Sequence, residues 1–236
     1  MAWTLSGIPM TLEDAKLQAS LKQRYNFAVQ HMIAAARFSR HCFDVENIHL
    51  DHVFGPFFSE VLSYVSGAVL SSVAGLEANI NELFADIQDE IIVIDGFDIK
   101  LLENSWTDIE KLSILEKYEK FFEMAKSEKF DRSGREYQFV KILITVRNAL
   151  VHYKPEWHAE KKEHFKISQQ LKGKFKLSPF LDDNAPVFPM RCMTHNFAEW
   201  AVLSVLEFAD WYATSLNIQN RFNRHTYHFS TKPPSE

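Results

Sequence analysis

Apolar residues recur at helical spacing along most of the chain, and this periodicity predicts long helices. Gly (7) and Pro (8) are few among the 236 residues, which favours helices because a sheet needs many turns. The predicted helices cover about 12–41, 58–88, 107–127, 136–153 and 195–216. We therefore expect an all-α fold, a helical bundle of four to five long helices.

The same pattern predicts one helical domain over residues 1–220, with the core bundle at about 58–216 and an N-terminal helix at about 12–41. Residues 154–194 contain four prolines and are expected to form an irregular insert before the last helix. Residues 221–236 have a polar, proline-containing end and are expected to be a flexible tail. The β-branched run 91–94 fits a short strand or extended chain.

The second predicted helix carries a stripe of small residues. They recur at every fourth position: Ser63, Gly67, Ser71 and Gly75. Small side chains let another backbone approach closely, so the stripe packs either within the bundle or across a dimer.

Composition and the N-terminal sequence indicate a soluble, cytoplasmic protein. Residues 1–10 have no basic start and no continuous apolar run, so no secretory signal is expected. The longest uncharged stretch, residues 61–76, is shorter than the roughly 20 residues of a membrane span. Two cysteines do not make a disulfide framework and suit a reducing compartment.

Charge is distributed unevenly along the chain. The net charge of −5 argues against broad nucleic-acid binding by charge alone. Residues 77–119 hold twelve acidic side chains and three lysines, whereas residues 154–176 hold seven lysines and three glutamates. A phosphate-rich ligand would prefer the second segment, which is otherwise a solvated basic loop.

The predicted helix 136–153 combines an almost entirely apolar circumference with one narrow polar stripe. The stripe residues are spaced by three or four: Gln138, Lys141, Thr145, Asn148 and His152. Arg147 lies about 100° away from the stripe, among apolar neighbours, where an unpaired charge costs several kcal/mol. Glu77, on the second helix, is the candidate partner of Arg147.

His152 and Asn148 are the candidates for chemistry on this helix. An imidazole accepts or donates a proton near neutral pH, and Asn148, one turn earlier, can reach the same ligand. The alternative is structural: Arg147 as an ion-paired core residue and His152 as the cap of the helix.

Residues 147–152 read Arg-Asn-Ala-Leu-Val-His, a polar residue directly after the arginine and a histidine five positions after it. This arrangement near the end of a buried helix resembles the R-x4-6-H motif of the HEPN superfamily. The order of the helices from about 58 to 216 is also similar to that family. Two other arginine–histidine pairs fit the pattern R-x4-6-H, at 24–31 and 221–228. Each has an aromatic residue directly after the arginine, so neither is taken as the motif.

The resemblance implies a metal-independent endoribonuclease that works as a two-fold dimer with both motifs facing one cleft. Arg147 would hold the scissile phosphate, and His152 would transfer a proton while the RNA 2′-OH attacks. Asn148 would orient one of these groups. The products would be a cyclic phosphate and a free 5′-OH, and no cofactor is implied. Such a ribonuclease would act in one of two biological contexts: a toxin or defence system with a neutralising protein partner, or RNA processing.

Lysines of the basic segment are the expected RNA-binding residues: Lys154, Lys161 and Lys162. The rival hypothesis is a non-catalytic HEPN-like module that binds a nucleotide, RNA or a protein through the same groove.

Two histidine pairs, 49/52 and 225/228, have metal-like spacing without a second cluster, so no metal site is expected. Cys192 with His195 could suggest a nucleophile and base, but a buried thiol is the stronger reading.

Overall fold

The computed structural model describes residues 24–156 and 163–233, and every regular element in these ranges is helical. Seven α-helices follow one another: α1 (Ala28–Ile48), α2 (Phe58–Gln88), α3 (Ile99–Ile109), α4 (Ile114–Lys126), α5 (Arg135–Val151), α6 (Glu163–Leu171) and α7 (His195–Leu216). A short π-helical turn, Val187–Arg191, precedes α7, and a 3-10 helix, Arg221–Phe229, follows it. The predicted all-α bundle is confirmed.

The centre of the bundle is formed by α2 and α7, which begin and end where the sequence predicts them. The helices α1, α4 and α5 each contact both of these central helices. At the start of α7 the Thr194 hydroxyl accepts the Phe197 N–H at 3.2 Å, a local cap that explains where this helix begins. The buried side chains of all these helices join one continuous hydrophobic core.

Two tyrosines connect the central helices to α4 inside this core. The Tyr118 hydroxyl donates to the Leu76 carbonyl oxygen at 2.9 Å and accepts from Asn79 Nδ2 at 3.0 Å. The Tyr212 hydroxyl donates to the Tyr118 carbonyl oxygen at 2.8 Å. Both side chains are fully buried, so these hydrogen bonds satisfy groups that water cannot reach.

The two glycines of the small-residue stripe of α2 pack within the bundle, against α1, whereas Ser63 is exposed. A Cβ atom at Gly67 would lie 3.0 Å from the Phe38 ring, and one at Gly75 would lie 2.8 Å from Met32 Sδ. The glycines therefore permit the close approach of α1. At these two positions the stripe packs within one chain and not across a dimer.

The predicted bounds of two helices need correction. Residues 24–27 are not helical and α1 starts at Ala28, with Phe27 58% exposed, whereas residues 1–23 lie outside the described residues. The helix predicted at 107–127 is two helices, because Asp98 caps α3 and a capping box of Ser113 and Glu116 starts α4. Residues 91–94 form no strand, and their first two residues are bends whose N–H groups donate to the Asp86 carbonyl oxygen.

The described parts of the predicted insert and tail contain more helix than expected. Residues 163–171 of the insert form α6, whose inward positions are spaced three and four apart: His164, Ile167 and Leu171. In the segment predicted as a flexible tail, residues 221–229 form the 3-10 helix, which packs on α1 and α7. Phe222 and Phe229 are buried there, so that prediction was wrong for this segment.

Among the described helices, α2 alone is long and apolar enough to cross a membrane by length and composition. A buried core helix meets the same criterion, and α2 packs against α1, α4, α5 and α7.

An ion-pair network ties the two ends of the described chain to α2. Glu82 Oε1 accepts the N–H groups of Phe27 and Ala28 at 2.7 and 2.8 Å, at the start of α1. Glu82 also pairs with Arg221, whose other nitrogen lies 2.8 Å from Asp86. The Glu82 and Arg221 side chains are only 11% and 17% exposed. Water would therefore solvate either charge poorly if its partner were removed.

We expect the substitution Glu82→Ala to lower the free energy of unfolding by roughly 3 kcal/mol, because two N–H groups lose their acceptor and the mostly buried Arg221 guanidinium keeps only Asp86. Urea denaturation at neutral pH measures this change. The matched control is Glu207→Ala, which breaks an exposed pair with Arg135 and should cost less than about 1 kcal/mol. Equal losses in the two variants would contradict the prediction.

Candidate functional site

The polar stripe of α5 faces solvent along its whole length. All five predicted members are exposed: Gln138, Lys141, Thr145, Asn148 and His152. The opposite face is buried in the core through Val140, Leu143 and Val146. The helix ends at Val151 with His152 as its C-cap, three residues before Pro155, as the proline predicts.

A solvent-open groove of about 400 Å³ lies where the end of α5 meets α6. The predicted site residues Asn148, His152 and Lys154 line it together. The residues of α6 that line the groove are Glu163, His164, Lys166, Ile167 and Gln170. One small space therefore collects two imidazoles, two amides, two ammonium groups and one carboxylate, a set suited to binding a phosphate and moving protons.

Arg147 lies outside this groove. Its side chain is half-buried, and its Nε is buried without a hydrogen-bond partner among the described residues. Within the described ranges no ion pair joins it to Glu77, so the predicted pairing is wrong. Helical geometry separates the directions of Arg147 and His152 by about 140°. A single chain therefore does not bring the two motif residues to one ligand.

One of the three predicted RNA-binding lysines lies in the part of the chain that the structure describes. Lys154 is exposed and lines the groove. Lys161 and Lys162 lie outside the described residues.

His164 and Glu156 are groove-associated residues that the sequence reasoning missed. Glu156 Oε2 lies 3.7 Å from His164 Nδ1 and 3.4 Å from the His164 backbone N. The signal was present in the spacing of His164, Ile167 and Leu171, which is that of one helix face. The three prolines after α6 favoured an irregular structure for the whole predicted insert, which hid this signal.

Histidine pairs elsewhere do not assemble a metal site in the described ranges. His49 stacks on Phe57 with ring centroids 4.2 Å apart, and His52 lies beside it. His225 and His228 have ring centroids 6.5 Å apart. No group of three or more histidine, cysteine, aspartate or glutamate side chains suited to a metal ion occurs in residues 24–156 and 163–233.

The Cys192 and His195 pair is unsuited to nucleophilic catalysis. Cys192 is fully buried, and burial raises the pKa of its thiol to about 12, which keeps it protonated. Burial lowers the pKa of His195, whose Nδ1 lies 3.1 Å from the Ser39 carbonyl oxygen. The buried-thiol reading is therefore the correct one.

Comparison of the chain with protein-family models, with curated proteins and with solved structures found no match.

The buried surroundings of His195 also contain a perturbed carboxyl group. Glu46 Oε1 accepts the His195 backbone N–H at 2.9 Å and lies 3.9 Å from Cys42 Sγ. Burial raises the pKa of Glu46 to about 7, although both hydrogen bonds act in the opposite direction. At this carboxyl group the folded chain therefore binds more protons than the unfolded chain between about pH 4.3 and pH 7.

Ionisation of Glu46 should destabilise the fold as the pH rises through this window, and Glu46→Gln should remove that effect. We expect the variant to gain stability relative to the wild-type protein from pH 5 to pH 8, by up to about 3 kcal/mol. Urea denaturation at each pH measures the difference, in which the contribution of His195 cancels. Glu207→Gln, at an exposed pair, should stay within about 1 kcal/mol throughout. A pH-independent difference for Glu46→Gln would contradict the prediction.

Proposed function

We propose that this chain is a metal-independent endoribonuclease of the HEPN type that cleaves RNA in the cleft of a two-fold dimer. The observation that carries the proposal is the groove at the end of α5, where His152, Asn148 and Lys154 meet solvent together. The R-x4-6-H resemblance assigns proton transfer to His152 and orientation to Asn148, and the basic segment predicts RNA binding by Lys154.

The position of Arg147 supports the dimer in this proposal. The guanidinium has no ion-pair partner among the described residues, yet it lies on the same helix as His152 and points away from the groove. An arginine kept near the surface without a carboxylate partner is available to a phosphate. A second copy of α5, related by a two-fold axis, would supply Arg147 to the groove that holds the first copy's His152.

In the proposed reaction the 2′-oxygen attacks the adjacent phosphorus while the bond from phosphorus to the 5′-oxygen breaks. One group accepts the 2′-OH proton and another donates a proton to the departing 5′-oxygen. Arg147 stabilises the charge on the phosphate, and Asn148 orients the phosphate or His152. We also propose that the protein acts in the cytoplasm, in RNA processing or in a toxin or defence system with a neutralising partner.

The second candidate is a non-catalytic module that binds a nucleotide, RNA or protein in the same groove. It is favoured by the absence of Arg147 from the groove of a single chain. This candidate predicts binding of RNA without any cut.

We expect the purified wild-type protein to cut RNA in EDTA and to leave 2′,3′-cyclic phosphate and 5′-OH ends. His152→Ala should lower the rate by about 10²- to 10⁴-fold, the usual contribution of a general acid or base. Arg147→Ala should abolish cleavage yet lower the free energy of unfolding by less than about 2 kcal/mol, because only its alkyl packing is lost.

The matched control is His52→Ala, an exposed histidine outside the groove, which should cut RNA at the wild-type rate. RNA bound but uncut by the wild-type protein would favour the second candidate. An Arg147→Ala protein that fails to fold would support the structural role of this residue.

Mixing two inactive variants tests whether the site is shared between subunits. When Arg147→Ala and His152→Ala chains are refolded together, a shared site predicts one intact site in each mixed dimer. Activity should then recover to about a quarter of the wild-type value, since half of the dimers are mixed. Sites complete within one chain would leave the mixture inactive. Either variant refolded alone is the control.

A further inference from the structure

His164 is held rigidly at the wall of the groove that contains His152. Its ring stacks on Tyr153, with centroids 5.4 Å apart, and meets the edge of Phe188 at 5.2 Å. Tyr153 directly follows His152, and both imidazoles line the same groove. The His164 side chain is 10% exposed, and this open part lines the groove.

Glu156 gives this imidazole a defined orientation. Its Oε2 faces Nδ1 of His164 at 3.7 Å, and the two side chains are 17% and 10% exposed. A carboxylate on the Nδ1 side favours the tautomer with hydrogen on Nδ1, which leaves the Nε2 lone pair free. Neither ring nitrogen belongs to the buried, unpartnered polar atoms of the described chain, unlike Nε2 of His195.

We propose that His164 is the general base of the ribonuclease reaction, that Glu156 is its positioning residue, and that His152 is the general acid. This inference rests on the proposed ribonuclease function. It adds a base that the R-x4-6-H motif does not contain, contributed by α6 and the segment before it.

The charges around His164 suit this division of roles. Lys154 and Lys166 line the groove and attract a phosphate, and Glu163 is the carboxylate on its wall. On the Phe188 side the nearest charged side chain in sequence, Arg191, is engaged by Asp183.

In the proposed step Nε2 of His164 takes the 2′-OH proton as the bond from the 2′-oxygen to phosphorus forms. The bond from phosphorus to the 5′-oxygen breaks, and the His152 imidazolium gives its proton to that oxygen. The 2′,3′-cyclic phosphate and the 5′-OH leave, with His164 protonated and His152 neutral. Exchange with solvent restores both, and no other reactant is consumed.

Two substrates separate the base from the acid. The first is a single-stranded RNA oligomer, and the second is uridine 3′-(4-nitrophenyl phosphate), whose 4-nitrophenolate leaves without a proton. His152→Ala should lose about 10²-fold or more on RNA but retain most of its rate on the aryl ester. His164→Gln should lose a similar factor on both substrates, because each needs the 2′-OH proton removed.

The pH profile gives an independent readout. A base that must be neutral makes the wild-type rate fall at low pH. His164→Gln should lose this acid-side fall. Glu156→Gln keeps an oxygen to cap α6 but loses the charge that faces Nδ1, so its kcat should fall by about tenfold on both substrates with KM unchanged. His52→Gln is the control and should match the wild type in every assay.

The outcomes distinguish this inference from the ribonuclease function itself. If the wild-type protein cuts RNA and both His164→Gln and Glu156→Gln cut both substrates at its rate, His164 is not the base and the ribonuclease stands. If the wild-type protein cuts neither substrate, both proposals fall. Should His164→Gln not fold by circular dichroism, Glu156→Gln decides: a wild-type kcat on both substrates would overturn the inference.

Discussion

The fold depends on two carboxylates placed on one face of its central helix. Glu82 and Asp86 bind Arg221 from the far end of the chain, and Glu82 also accepts the first N–H groups of α1. Because these charges have little access to water, removing one leaves its partners with fewer compensating charges. The network therefore holds α1, α2 and the 3-10 helix in one arrangement, which the apolar core alone, being non-directional, does not specify.

That arrangement determines what α5 exposes. With α2 and α7 packed against its apolar face, the remaining polar stripe faces solvent along the full helix. The bonds of Tyr118 and Tyr212 keep α4 against the same two helices. The end of α5 then carries Asn148 and His152 on a packed helix, which suits the proposed proton transfer because that step requires reacting atoms within hydrogen-bond distance.

The groove depends on α6, a short helix whose stability comes from its contacts. Its nine residues are too few to be stable alone in water, and it is held by α5 and by the π-helical turn before α7. Ser168 illustrates this support: its hydroxyl donates to the His164 carbonyl oxygen and accepts the Phe188 N–H. His164 and Glu156 thus owe their positions near His152 to packing between segments distant in sequence.

The sequence by itself determined the helical class, the bounds of α2 and α7 and the exposed stripe of α5, because helical periodicity, caps and prolines act over a few residues. It also singled out Asn148, His152 and Lys154, which do share a groove. Only the tertiary structure showed Arg147 without Glu77, the ordered 3-10 helix and the pairing of His164 with Glu156. The Arg221–Glu82 pair spans 139 positions, and such contacts leave no periodic signal, since they arise from how completed helices pack.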